Sequence, residues 1–355
     1  MDLTTQFSAT FLLGFASCVI ATGVVRWFAL RFHVVDMPGD PRKIHTKPVP
    51  LLGGVALYIG VFATLVSIVA LGWLTDARVS PSILMGSAFA GGILVLVGAL
   101  DDRFNVRWWQ QLIGPVAAVA VLLYAGLEIP YVTNPFGGSI LNLDKLILGS
   151  WHLQLGTLLL IVWMLGMMYT TKLLDGVDGL ASSVSLVAAV VLFIVSLSWD
   201  RSGSTTSFLA LATAGAALGF LVWNFYPAKI FLGEGGSTFL GFMLALLAIM
   251  SGGKIATALL VMGVPIFDVA WIIVRRIRTG QHLAAADDRH LHFRLLAIGM
   301  SQRQVVLLLS LISLLFGSVS FFFQTTAKLI ALTVLLFFMI IFRNYVERRL
   351  QNSTH

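Results

Sequence analysis

Four carboxylates lie in two short segments whose spacing suits cation or proton chemistry. Asp101 and Asp102 are adjacent at the end of an apolar run, and Asp175 and Asp178 lie three apart within an Asp-Gly-Val-Asp-Gly motif. Adjacent acids repel each other unless water, a proton or a cation lies between them, and acids three apart share one face of a helix. Mg²⁺ binds to such oxygen ligands together with substrate phosphates. The alternatives are a solvated helix end for the first pair and an ordinary Asp-Gly turn for the second.

A fifth acid, Glu234, lies among glycines just before Ser237, where another apolar run begins. The free N–H groups at the start of a helix favour anions. This segment is therefore a candidate site for both a metal ion and a phosphate. The alternative is that Ser237 is an ordinary N-cap residue behind a flexible loop.

Two loops carry cationic side chains that could bind phosphate. His290, His292 and Arg294 follow the ninth apolar run, and we expect them to hold a diphosphate because imidazole and guanidinium groups donate to phosphate oxygens. Lys43 and His45, in the proline-rich loop after the first run, are candidates for contact with a substrate or an anionic lipid. The alternative for both loops is a basic segment that only sets membrane topology. Zinc is disfavoured because no cysteine lies near the histidines.

The elements that must position these residues are membrane helices. The chain is 58% hydrophobic and only 11% charged, with a mean hydropathy of +0.93, which excludes an ordinary soluble domain. The sequence therefore predicts an all-α integral membrane protein with about eleven transmembrane helices, forming a single polytopic domain over residues 1–355. No strand is expected, because an open sheet edge cannot be satisfied in lipid. The apolar runs begin near Phe7, Leu51, Ser80, Trp108, Leu155, Ala181, Ser207, Ser237, Ile255, Val305 and Leu329.

Alternating eleven spans gathers the chemistry on one side of the membrane. That side contains loops 31–50, 101–107, 172–179, 224–236 and 275–303 and the tail from Arg343. It holds 17 of the 23 Lys and Arg residues; 5 lie opposite, and Arg26 lies inside a span. The positive-inside rule therefore predicts an active site that faces the cytoplasm from the inner membrane. The eighth run is the least secure, because it is short and carries glycines, and losing it would reverse the orientation of everything after it.

At these motifs the chain resembles the polyprenyl-phosphate N-acetylhexosamine-1-phosphate transferases, a superfamily that includes the GlcNAc-1-phosphate transferases and the MurNAc-pentapeptide translocases. The resemblance covers about residues 37–301, and the Asp-Arg-His-Leu-His run is closer to the GlcNAc branch. The motifs, in family order, are Pro38-x-x-x-Arg42-Lys43-x-His45, Asp101-Asp102, Asp175-Gly-x-Asp178-Gly-Leu-Ala, Phe231-Leu-Gly-x-Gly-Gly-Ser237 and His290-x-His292.

The resemblance implies a reaction and its partners. A UDP-sugar, most simply UDP-GlcNAc, is cleaved; UMP leaves, and the sugar-1-phosphate passes to undecaprenyl phosphate or another polyprenyl phosphate. Mg²⁺ is the implied cofactor, with Mn²⁺ as a substitute, and the reaction is the first membrane step of a cell-envelope glycan pathway. The expected partners are the UDP-sugar, the lipid phosphate and the membrane, without nucleic acid, and a homodimer is compatible with the sequence.

Our hypothesis for the site assigns a role to each acid. Asp178 and Glu234 hold Mg²⁺, and Asp101 accepts a proton from the lipid phosphate or orients it for in-line attack. Asp102 and Asp175 support the metal shell. A covalent Asp101-phosphosugar intermediate is the mechanistic variant.

The chain departs from the family pattern at three positions. Lys172 stands where the family usually has Asn, Glu234 where it has its metal-binding Asp, and Phe293 where it has a second histidine. Glu234 keeps the carboxylate on a longer side chain, and Lys172 could neutralise a phosphate directly. We expect Lys172 and Asn224 to contact the substrate.

Two other functions are compatible with parts of this sequence. A secondary transporter would place polar groups near the bilayer midplane, but only Asp268 lies within a span. A non-catalytic lipid-binding homologue would have lost activity through Lys172 and Glu234.

Overall fold

Helices make up most of the computed structural model, which describes residues 1–39, 45–74, 79–134, 140–143, 147–148, 153–199, 203–251, 255–281, 289–323 and 325–353. Within these residues the helices are α1 (Leu3–Arg31), α2 (Gly53–Ala70), α3 (Pro81–Phe104), α4 (Ile113–Tyr124), α5 (Leu155–Leu174), α6 (Leu180–Trp199), α7 (Thr205–Asn224), α8 (Gly233–Met250), α9 (Ile255–Val261), α10 (Gly263–Thr279), α11 (Leu291–Ala297), α12 (Gln302–Phe322) and α13 (Thr325–Ser353).

Every predicted apolar run forms a helix, and the chain is a multi-pass membrane protein, but the count of eleven spans is not confirmed. In the described residues nine helices are long and apolar enough to cross a membrane, and the pair α9 and α10, bent by 82°, makes a tenth if it is one span. Among the helices formed by the predicted runs, α4 is shorter than the others that could span, with 12 residues. At 1.5 Å per residue it extends about 18 Å, well short of a hydrocarbon core of about 30 Å.

The eighth run, which looked least secure, forms the well-buried helix α8. It begins at Gly233, four residues before the expected start at Ser237, and 83% of its span is buried. A Cβ added at Gly98 on α3 would lie 2.2 Å from the backbone of Gly235, and one added at Gly54 on α2 would lie 2.4 Å from the backbone of Gly236. The glycines that weakened the prediction therefore permit the backbones of three helices to touch.

Short strands occur in the connections between helices, contrary to the expectation of none. They form three antiparallel pairs among the described residues: β1 (Val35–Asp36) with β2 (Val49–Pro50), β3 (Tyr131–Thr133) with β4 (Ile140–Asn142), and β5 (Ile147–Leu148) with β6 (Leu153–Gln154). The β1–β2 pair joins the end of the segment after α1 to the segment that leads into α2.

Several helices begin at serine caps, as their sequences indicate. Ser80 accepts a hydrogen bond from the backbone of Ile83 and is followed by proline at the first helical position of α3. Ser301 forms a capping box with Gln304 at the start of α12. These caps fix where α3 and α12 start.

Candidate active site

The helix ends that carry the predicted acids surround one cavity of about 420 Å³. This volume is typical of a small-molecule site. The first loop, the ends of α3, α5 and α7 and the start of α8 form most of its wall. Lys43 lies outside the described residues. The titratable and polar residues that line the cavity are Asp36, His45, Asp101, Asp102, Asn105, Lys172, Asp175, Asp178, Asn224, Glu234 and Ser237.

The adjacent acids of α3 bind different donors. Asp101 accepts hydrogen bonds from the backbone N–H of Val106 at 2.9 Å and from the Gln111 amide at 3.1 and 3.3 Å. Asp102 accepts from the backbone N–H of Glu234 at 2.9 Å, which satisfies one of the free donors at the start of α8. Each carboxylate thus has its own hydrogen-bond donors.

Position 233, the first of α8, requires glycine for two reasons: its backbone conformation and the nearby Asp102 side chain. Its φ is +70°, a left-handed conformation that glycine adopts without strain. A Cβ at this position would lie 2.1 Å from an Asp102 oxygen. Glycine therefore allows the Asp102 carboxylate to reach the N-terminus of α8.

The Asp-Gly-Val-Asp-Gly motif forms the turn between α5 and α6. Asp178 accepts a hydrogen bond from the backbone of Ala228 at 2.9 Å, and its own N–H donates to Gln302 at 3.3 Å. Burial, followed by the negative charges of Asp178 and its neighbours, raises the pKa of Asp175 to about 8. Burial also raises the pKa of Asp178. A bound cation would favour the ionised form of both carboxyl groups.

Lys172 and Glu234 form an ion pair across the cavity wall. The Lys172 Nζ lies 2.5 Å from Oε1 of Glu234 and donates to Oε1 of Gln111 at 2.9 Å. Gln111, which also holds Asp101, was missed by the sequence reasoning. A pair of glutamines at the start of an apolar run was the available signal, because polar groups at such positions are costly unless they have a partner.

Asn224 and His45 line the cavity through contacts that fix its loops. Asn224 accepts a hydrogen bond from Ser182 at 3.1 Å and donates to the carbonyl of Ile230 at 3.0 Å, so it holds the loop between α7 and α8. The His45 ring lies edge-on to Phe231, with ring centroids 5.2 Å apart.

The three residues predicted to hold a diphosphate, His290, His292 and Arg294, are not among the residues that line the cavity. His290 Nδ1 lies 2.8 Å from Asp268, and Arg294 lies 2.9 Å from Glu347. Their direct contact with a diphosphate stays a prediction. Asp268 was expected only as an acid inside a span, so its partnership with the histidine loop is new information from the structure.

His292 is buried against the Asp-Gly turn. Its Nε2 has no hydrogen-bond partner within the described part of the chain, and a Cβ added at Gly176 would lie 2.4 Å from it. Burial lowers the pKa of His292 to about 3, so the ring is neutral at physiological pH. Phe293 is the residue of the described part of this loop that lines the cavity.

The donor set fits a Mg²⁺ ion that is bound together with a substrate. In the described ranges no three His, Cys, Asp or Glu side chains group closely enough to hold an ion by themselves. Mg²⁺ usually takes one or two carboxylates and completes its shell with water and substrate phosphates. Asp178 and Glu234 supply such oxygens at one cavity.

Comparison with known proteins agrees with this arrangement. Residues 82–252 match the family described as Glycosyl transferase family 4. The chain is 32% identical over 342 residues to a Bacillus subtilis protein named probable undecaprenyl-phosphate N-acetylglucosaminyl 1-phosphate transferase, covering 95% of this chain and 90% of that protein. It is 35% identical over 326 residues to the decaprenyl-phosphate N-acetylglucosaminephosphotransferase of Mycolicibacterium smegmatis, covering 84% and 78%.

A more distant relative has the same kind of name. The undecaprenyl-phosphate alpha-N-acetylglucosaminyl 1-phosphate transferase of Escherichia coli K12 is 28% identical over 309 residues, covering 83% of this chain and 77% of that protein. The motifs, the cavity and these relatives agree. The chain belongs to glycosyl transferase family 4, in the group of polyprenyl-phosphate N-acetylglucosamine-1-phosphate transferases.

Proposed function

We propose that this protein transfers GlcNAc-1-phosphate from UDP-GlcNAc to a polyprenyl phosphate and releases UMP. The observation that carries the proposal is the convergence of acids from three separate segments on one cavity, represented by Asp101, Asp178 and Glu234. The names of the relatives support the sugar phosphate and the lipid. The nucleotide is proposed from the motif resemblance.

The surroundings of Asp101 suit a lipid acceptor. Phe104 and Trp109, three and eight residues after Asp101, are 68% and 48% exposed. Exposed aromatic residues next to a span are typical of the membrane interface. A phosphate carried on a lipid could therefore approach Asp101 from the bilayer while its chain stays in an apolar environment.

The reaction needs positioning and charge neutralisation more than covalent chemistry. An oxygen of the lipid phosphate attacks the β-phosphorus of the UDP-sugar, and the bond to the UMP oxygen breaks. Asp101, which accepts hydrogen bonds from the Gln111 amide and the backbone of Val106, would accept the proton of the lipid phosphate or orient it. Mg²⁺, held by Asp178 and Glu234, would neutralise the charge that develops on the diphosphate.

We place the active site at the cytoplasmic face. The cavity is lined from the loops that hold most of the Lys and Arg residues, and the positive-inside rule assigns such loops to the cytoplasm. Sealed membrane vesicles of one known orientation, given UDP-sugar on one side only, would test this orientation through the amount of lipid product formed.

A homodimer stays a prediction, which light scattering on the purified protein would test.

The contacts of Asp268 disfavour a transporter. Asp268 is the acid inside a span, and a transporter would need it as an ion site. Both of its oxygens are held by protein groups, one by His290 and the other by Arg343. No observation in the described residues favours transport over transfer.

The test is a transfer assay with purified protein in detergent. Undecaprenyl phosphate, Mg²⁺ and radiolabelled UDP-GlcNAc are incubated with the wild type, Asp178→Asn and Glu234→Gln, with other UDP-sugars in parallel. UMP and labelled lipid should form with the wild type, require the cation, and disappear in both variants. Glu128→Gln, an acid outside the cavity, is the matched control and should keep full activity. A folded wild type that yields no product from any UDP-sugar would contradict the proposal.

A further inference from the structure

Two charged side chains of the cavity wall, Lys172 and Glu234, contact each other. Lys172 comes from the end of α5 and Glu234 from the start of α8, and their charged groups lie 2.5 Å apart. The two side chains are 21% and 17% exposed. A charge pair that is shielded from water in this way interacts more strongly than one on an open surface. Lys172 and Glu234 therefore form one ion pair that joins the end of α5 to the start of α8.

Lys172 is fixed from a second direction. Its ammonium donates to Oε1 of Gln111 at 2.9 Å, and the amide nitrogen of Gln111 donates to both oxygens of Asp101. Because the amide nitrogen faces Asp101, the amide oxygen must face Lys172. The ammonium is thus anchored between Gln111 and Glu234.

Lys172 is a positively charged residue in a cavity whose charged lining residues are mainly acids. Six carboxylates line the cavity, and Lys172 is the one Lys or Arg among the described lining residues. Its ammonium lies 2.5 Å from Oε1 of Glu234, one of the two oxygens of that carboxylate. A cation that binds at Glu234 must therefore displace Lys172 or bind beside a positive charge.

We propose that Lys172 is an internal counter-ion of Glu234 that competes with the divalent cation, so that this protein binds a free cation more weakly than it would with a neutral residue at position 172. This inference rests on the proposed function, in which Glu234 is a metal ligand. Lys172 would let the cation bind mainly when a diphosphate brings further negative charge. The site would then favour the cation with its substrate over the cation alone.

Binding of Mn²⁺ to the purified protein, without nucleotide, tests the competition. Electron paramagnetic resonance of free Mn²⁺ gives the dissociation constant independently of catalysis. Lys172→Met and Lys172→Asn remove the charge and should tighten Mn²⁺ binding by about 10-fold or more. Lys172→Arg keeps the charge and should stay within about 3-fold of the wild type. Lys229→Met is the matched control, since the Lys229 ammonium lies over the Trp223 ring and contacts no cavity acid in the described residues.

Two further variants separate this inference from the proposed metal site. Asp178→Asn and Glu234→Gln should weaken Mn²⁺ binding if the site is right. If they do so while Lys172→Met and Lys172→Asn bind Mn²⁺ as the wild type does, or more weakly, the competition is refuted and the metal site stands. If no variant changes Mn²⁺ binding, both proposals are wrong. The use of two neutral residues at position 172 keeps the test decisive if one of them does not fold.

Discussion

Arg343, in the second half of α13, and Asp268, in α10, lie 3.0 Å apart although 75 residues separate them in sequence. Their side chains are 6% and 7% exposed. The other Asp268 oxygen lies 2.8 Å from His290. Through this contact α13 holds the base of the loop whose His292 and Phe293 pack against the Asp-Gly turn. The C-terminal helix therefore supports the active site from behind.

Removing the Arg343 charge should destabilise the protein and slow transfer. Arg343→Met leaves Asp268 buried with the His290 ring and the Leu291 N–H as its remaining partners, and breaking a buried ion pair typically costs about 3–5 kcal/mol. The double variant with Asp268→Asn removes both charges and should lose less stability than the two single variants added together. Thermal unfolding in detergent, with turnover measured in parallel, checks both expectations.

Arg349→Met is the control for this prediction. Arg349 lies on the same helix and is exposed, and it donates to the Tyr345 hydroxyl. Its replacement should change the free energy of unfolding by no more than about 0.5 kcal/mol. An Arg343→Met variant as stable as the wild type, or strictly additive effects in the double variant, would contradict the supporting role.

The gathering of the acids could be predicted from the sequence because it follows from local features. Asp101 and Asp175 each lie where an apolar run ends, and alternation of such runs brings those ends to one face. Glu234 was assigned to the same face by the same reasoning. The structure adds that all three line one cavity.

The partners of these residues could not be predicted, because contacts between helices leave no local pattern. Gln111 meets Lys172 across 61 positions, and Arg343 meets Asp268 across 75. Helix α8 was doubted because glycine weakens an isolated helix, but close packing against its neighbours outweighs that preference. Helix α4 has only 12 residues, a length that its apolar run does not show because the sequence leaves the ends of the helix undefined.

Gln111 should position Asp101 for the reaction. Gln111→Leu keeps a side chain of similar size but removes the hydrogen bonds at 3.1 and 3.3 Å to Asp101 and the one to Lys172. A small misplacement of a reacting group lowers the reaction rate by up to about 100-fold. We therefore expect kcat to fall by about 10- to 100-fold. KM for the UDP-sugar should change much less.

Gln110→Leu serves as the comparison for this effect. Gln110 is the adjacent glutamine, and its side chain accepts a hydrogen bond from the backbone of Arg107 in the local turn. Steady-state kinetics of both variants should show a low kcat only for Gln111→Leu. Equal kinetics in the two variants would mean that Gln111 does not position Asp101.

Stability without a divalent cation should fall as the pH rises toward about 8. Burial and nearby negative charges raise the pKa of Asp175 to about 8. In this range the folded protein keeps a proton that the unfolded chain has lost, so the stability due to that proton is present at low pH and disappears as the pH passes through about 8. Unfolding temperatures in EDTA between about pH 6 and pH 9 measure this loss.

Asp175→Asn separates this carboxyl group from the other titrating groups. The variant cannot ionise at position 175, so its unfolding temperature should depend less on pH than that of the wild type. Mg²⁺ should protect the wild type more at high pH than at low pH, because the ion binds the deprotonated carboxylates. Parallel pH profiles for the two proteins would argue against a raised pKa at Asp175.

The contact between α3 and α8 should tolerate no side chain at position 98. A Cβ at Gly98 would lie 2.2 Å from the backbone of Gly235, so Gly98→Ala must push the helices apart. Overpacking of this kind costs about 1–3 kcal/mol. The same displacement would move Asp102 away from the N–H of Glu234, which now lies 2.9 Å from it, so transfer should slow as well.

The same substitution elsewhere on α3 should have the opposite effect. A Cβ at Gly92 would lie 3.4 Å from the Tyr58 hydroxyl oxygen, which is ordinary contact. Because alanine favours a helix over glycine by about 1 kcal/mol, Gly92→Ala should be neutral or stabilising. Unfolding temperatures and turnover rates of Gly98→Ala and Gly92→Ala, each compared with the wild type, test this prediction. If Gly98→Ala were as stable and as active as Gly92→Ala, the close approach of α3 to α8 would not be what positions Asp102.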